Sequence, residues 1–184
     1  MSRRGKPGRS RTLGTRIVGI ASFNRNYYED IDGDEFADYQ AQQVVLIAAI
    51  SVLVGMVAAA GPEIAFIAVV VIGVRWWGIS SMIARKGVEL FPQRPEEFSR
   101  KRAMRLVGYS NGPLFFAMFS AIPDFGIGPI IWVLLNVWSL MALIMGIRVM
   151  LGTMPVREMT NILAVGGIPQ LLILVGGLGI RLWR

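Results

Sequence analysis

Arg105-Leu106-Val107-Gly108-Tyr109-Ser110-Asn111-Gly112-Pro113 runs without a break into Leu114-Phe115-Phe116-Ala117-Met118-Phe119-Ser120-Ala121-Ile122-Pro123. The stretch starts in a basic loop, passes through a polar, kink-prone half-turn, and becomes an apolar run. Two apolar stretches precede it, at about 41–60 and 64–84, and two follow it, at about 130–150 and 161–182. Each comes near the 20 or so residues that cross a hydrocarbon core at about 1.5 Å rise per residue. With 105–122 as the third, the sequence predicts an all-α, polytopic membrane protein. Its spans form a bundle of five transmembrane helices over 41–184, behind a disordered basic tail (1–16) and a short interfacial helix with an acidic linker (17–40).

Composition points the same way. The 184 residues are 54% hydrophobic and only 17% charged, too few charges to coat a soluble domain of this size. Those charges are segregated. Arg3, Arg4, Lys6, Arg9, Arg11 and Arg16 fill the tail, and Arg85, Lys86, Arg94, Arg100, Lys101, Arg102 and Arg105 fill one loop; together they make up most of the 19 basic residues. Beside apolar spans such clusters face the cytoplasm and its anionic lipids, so no nucleic-acid partner is expected despite a pI near 10.5. The chain has no Cys and no His. Thiolate chemistry and the usual zinc and haem ligands are excluded together, and neither a cofactor nor a metal is expected.

The tail lacks apolar periodicity, and the long leader before the first span reads as an uncleaved signal-anchor rather than a cleaved peptide. Ile17, Ile20, Ala21, Tyr27, Tyr28 and Ile31 sit at near-helical spacing, as an interfacial helix would place them. Asp30, Asp32 and Asp34 echo the opening of a calcium loop. Glu35 and Ala41 stand where that loop needs Gly and Glu, so the segment reads as a solvated acidic linker, loosely paired with the basic tail or loop.

Within the spans a few residues stand out. Ser51, Gly55 and Ala59 recur every fourth residue, a small-residue face for close helix contact, and Ser139 and Gly146 share a similar stripe with Asn136. Arg75 lies mid-span beside Trp76 and Trp77. A central Arg costs about 2.5–3.5 kcal/mol on insertion scales and needs a partner, a wet cavity or a route to the surface. No span contains a carboxylate, so Asn136, freed carbonyls, a Trp face, a lipid phosphate or another subunit are the available partners. Pro113 lacks an N–H and crowds the carbonyl four residues back, which strips Tyr109 of its helical partner; Ser110 and Asn111 stand ready to satisfy freed carbonyls. Arg75, Tyr109, Ser110, Asn111, Pro113 and Asn136 are thus the candidate contacts for a partner or ligand. No catalytic residue is expected, because Ser80, Ser81, Ser110 and Ser139 have no His or Lys in any span to act as base.

Charge also orients the chain. With the tail inside, the loops around 85–102 and 157 are inside too, and the turns at Glu63 and Asp124, free of Lys and Arg, fall outside. The expectation is a cytoplasmic N-terminus and an external C-terminus, set in a bacterial inner membrane.

Read end to end, the order resembles the Yip family of five-span membrane proteins, its bacterial branch above all. The likeness rests on Asn26-Tyr27-Tyr28-Glu29-Asp30-Ile31 ahead of the first span and on Gly108-Tyr109-Ser110 followed by Pro113. Ala121-Ile122-Pro123, and Trp138 with Gly146-Ile147-Arg148, add to it. It implies a five-helix membrane domain. Eukaryotic members serve vesicle traffic through Rab GTPases, but the acidic Tyr-Gly-Pro signature they carry has no counterpart here. The functional expectation is a non-enzymatic scaffold or assembly protein, an accessory subunit whose partners are lipids and other integral membrane proteins. The alternative is an anion or small-solute transporter, for which Arg75, Asn111 and two Pro-broken spans speak.

Overall fold

Gly61-Pro62 turns the chain between its two longest apolar helices. Gly61 adopts φ +99°, open to glycine and strained for other residues, and Pro62 supplies the preset first residue of the next helix. The computed structural model describes residues 12–121 and 128–152, with 157, 160, 161 and 164 beyond them. Among the described residues all regular structure is helical. In order these are α1 (Leu13–Ala21), α2 (Arg25–Gly33), α3 (Ala37–Ala60), α4 (Pro62–Leu90), a 3-10 helix (Pro95–Phe98), α5 (Arg100–Tyr109), a second 3-10 helix (Gly112–Ala121) and α6 (Gly128–Leu151).

Three helices are long and apolar enough to cross a membrane, over Ala37–Ala58, Pro62–Leu90 and Ile130–Leu151, which fits an integral membrane protein. They correspond to the first, second and fourth predicted spans. The first starts four residues earlier than 41, and the second continues six residues past 84. The fifth predicted span and the turn around Asp124 lie outside the described residues, apart from the few positions named above.

The third predicted span departs from a single rod. Arg100–Tyr109 is a charged, amphipathic α-helix, and the chain tightens to 3-10 geometry from Gly112. Pro113 removes one helical donor, and local side chains take over the carbonyls before it. Ser110 Oγ donates to Val107 O at 2.7 Å, and Asn111 Nδ2 donates to Val107 O at 2.9 Å and Gly108 O at 3.3 Å. The carbonyls satisfied this way are those of Val107 and Gly108, rather than that of Tyr109.

Two buried clusters fill the interior. One joins α1, α2 and α5 to the ends of α3, α4 and α6 through Ile20, Tyr28, Ile31, Val44, Ile83, Leu106 and Ile147. The other lies between α3, α4, the second 3-10 helix and α6, around Ala48, Val52, Ile72, Leu114 and Leu135. α3 approaches the second 3-10 helix closely at Gly55, where a Cβ would stand 2.2 Å from Ala117 O and 2.6 Å from Ser120 Oγ.

The N-terminal region corrects three expectations. Helix begins at Leu13, capped by Thr12, so residues 12–16 belong to folded structure and Arg16 is buried. The acidic segment is no solvated linker, because Asp30, Asp32, Asp34 and Asp38 face arginines from other elements, as described below. A single interfacial helix is also replaced by two. Phe23, at φ +56°, turns the chain between α1 and α2, and Asn24 caps the second. Trp138 of α6 fixes this pair by donating from Nε1 to Ala21 O at 2.8 Å, meeting one of the orphan carbonyls at the end of α1.

Candidate functional site

On α4 the buried positions Ala65, Ala68, Ile72, Arg75, Ile79 and Ile83 recur at three- and four-residue steps, so Arg75 occupies the inward stripe. Only 2% of it is exposed. Snorkelling to a membrane surface, one of the expected outcomes, does not occur. Its Nη2 donates to Ser139 Oγ on α6 at 3.1 Å, and Ser139 Oγ passes its own proton to Ser110 O at 2.8 Å. A relay therefore links α4, α6 and the chain break after α5. Nε and Nη1 of Arg75 have no hydrogen-bond partner among the described residues.

The other predicted contacts lie in the same polar interior without closing on the arginine. Asn136 and Ser139 sit one turn apart on α6. Asn136 turns its Nδ2 back to Trp132 O at 2.8 Å, which leaves its Oδ1 unpartnered. Asn111 Oδ1 and Ser51 Oγ are likewise buried and unpartnered. Pro113 is buried. Gly146 packs in ordinary contact with Leu106 and Tyr28, and Ala59 lies in α3 with its side chain outside the described set. Trp132 of α6 is 7% exposed and packs in the second cluster.

Tyr109 belongs to a different centre. Its hydroxyl donates to Gln40 Oε1 at 2.6 Å, and that oxygen also accepts from Arg16 Nη1 at 2.7 Å. Arg16 further donates from Nε to Asp30 at 3.2 Å and from Nη2 to Asp34. Arg102 grips both oxygens of Asp32 with a two-pronged fork. Arg105 donates from Nη1 to the carbonyls of Asp34, at 2.8 Å, and Asp32, at 3.2 Å. Its Nε stands 2.6 Å from Asp38 Oδ1 at an angle outside that of a hydrogen bond. Together these contacts clasp α1, α2 and the start of α3 onto α5. Burial pushes the Asp34 carboxyl up, but the Arg16 hydrogen bond, the Phe36 N–H and the charges of Arg16 and Arg105 outweigh it. The net shift is below the usual carboxylate value. The Arg102 guanidinium is held above its ordinary value, chiefly by its bond to Asp32.

Sequence reasoning anticipated acid–base pairing here but named none of the pairs. Opposite charge dense in two segments on one side of the membrane is the signal, and it does not say which arginine meets which aspartate. Asp30, Asp32 and Asp34, the echo of a calcium loop, are turned towards arginines. Among the described residues no group of acidic side chains is arranged to hold a metal.

No protein-family model matches the chain, and neither a curated protein nor a solved structure does.

Proposed function

We propose that this protein is a non-enzymatic, multi-pass membrane scaffold, an accessory subunit that holds other integral membrane proteins in a complex. The observation that supports this reading is the surface of its three apolar helices. Only 33–44% of the residues in their spanning windows are buried. The outer faces carry Leu46, Ile50 and Val54 on α3, Phe66, Val70 and Val74 on α4, and Ile130, Leu134 and Val137 on α6. Lipid tails are as apolar as these side chains, so a partner is held by close packing and shape rather than by hydrophobic drive. The clasp, meanwhile, ties α1, α2 and the start of α3 to α5. Residence in a bacterial inner membrane, with the N-terminus inside, and the likeness to the Yip family belong to this proposal. The likeness rests on the quoted motifs alone.

Photo-crosslinking in native membranes tests the reading. A photoreactive residue at Val74 or Leu134, 63% and 61% exposed, is expected to give one discrete protein adduct whose size does not change with expression level. Adducts to lipid only, together with a monomer in native mass spectrometry from mild detergent, overturn it. A second reading, anion transport, is favoured by Arg75 alone. Anion flux in proteoliposomes, lost in Arg75→Leu, supports it, and absence of flux removes it.

A further inference from the structure

We infer that the interior around Arg75 binds a small monovalent inorganic anion of the chloride class, held by the unpartnered Nε and Nη1 edge of the guanidinium. A guanidinium keeps its charge at neutral pH, and this one is buried at the level of an apolar helix. Its one hydrogen bond among the described residues, to Ser139, is to a neutral oxygen whose proton is already committed to Ser110 O. Hydrogen bonding alone therefore leaves the charge unbalanced.

Among the described residues no carboxylate is placed to balance it. On α4 itself Glu63 and Glu89 lie about 18 and 21 Å along the axis at 1.5 Å per residue. α6 contains no acidic residue, and the sequence has none after Glu158. The aspartates near α5 are engaged by Arg16, Arg102 and Arg105. The unpartnered oxygens of Asn111 and Asn136 are acceptors but carry no net charge. A lipid phosphate brings its glycerol and acyl chains with it, and the 2% exposure of Arg75 leaves no opening of that size. What answers both the two free donors and the charge is a small anion that sheds its water readily.

This site stands apart from the scaffold reading and does not require transport, because an anion that stays bound steadies the bundle without crossing it. The test uses the whole chain in detergent at constant ionic strength and constant cation, so that the clasp feels no change. Replacing gluconate by chloride or bromide is expected to raise the melting temperature with the logarithm of anion concentration, by roughly 5–10 °C at about 100-fold the dissociation constant. Arg75→Gln abolishes the rise, whereas Arg100→Gln, on the exposed guanidinium stacked over Trp77, retains it. In parallel, wild-type protein is expected to broaden the chloride-35 NMR line beyond protein-free micelles, with bromide displacing the excess. This measurement decides the matter if Arg75→Gln does not fold. Equal melting in all anions, no displaceable broadening, or full anion dependence in folded Arg75→Gln overturns the site. Binding without flux in proteoliposomes keeps the site and discards the transport reading.

Discussion

Arg16 and Asp34 show how a single residue acts here. Arg16 is 1% exposed, while Asp30 and Asp34 retain 25% and 22%, so the carboxylates can rehydrate if the arginine is lost. Arg16→Leu is therefore expected to cost about 2 kcal/mol, short of the 3–5 kcal/mol for breaking a fully buried pair. Hydrogen exchange of the α1 amides reads it. The same pair gives a pH dependence of known sign. The folded Asp34 carboxyl lies below its unfolded value, so its stabilisation is complete above about pH 4 and fades as pH falls through the lower folded value. Protection of the α1 amides, their exchange taken relative to the intrinsic rate at each pH, is expected to be high at about pH 6, to fall below about pH 4, and to change less with pH in Asp34→Asn. Equal protection at about pH 6 and about pH 3 in the wild type counts against the clasp as the anchor of α1.

Among the elements, the break between α5 and the second 3-10 helix has the widest consequences. It exposes Ser110 O to Ser139, turns Asn111 back on its own helix, and lets Ala117 and Ser120 meet α3 at Gly55. At that contact Ala117 O and Ser120 Oγ leave no room for a Cβ on Gly55. A side chain there collides with backbone, which cannot swing aside as a flexible side chain can. Gly55→Val is expected to destabilise by about 1–3 kcal/mol, the range for overpacking, and to lower the melting temperature in detergent. A variant that melts with the wild type shows that the two elements can separate without loss.

For the whole molecule, orientation is the property that charge alone predicts. The chain has no Cys, so single cysteines report cleanly. With the N-terminus inside, a membrane-impermeant maleimide is expected to label Asp124→Cys in intact cells and to reach Leu90→Cys only after lysis. Labelling of position 90 from outside, with 124 protected, inverts the orientation.

The apolar helices were legible in the sequence because hydropathy and length are local properties. A run of some 20 apolar residues spans a bilayer whatever surrounds it, and α3, α4 and α6 fall on predicted runs. Pro113 also marked where the third run fails, although proline fixes only the site of a break, and the 3-10 geometry beyond it depends on packing against α3. That Arg75 is a costly residue followed from its position in a span. That it turns inward to Ser139, and that Arg16, Arg102 and Arg105 each find their own carboxylates, only the tertiary structure decided. Those contacts join residues 14 to 73 positions apart. Which of several like charges meets which partner depends on the three-dimensional arrangement of helices, and no local pattern encodes it.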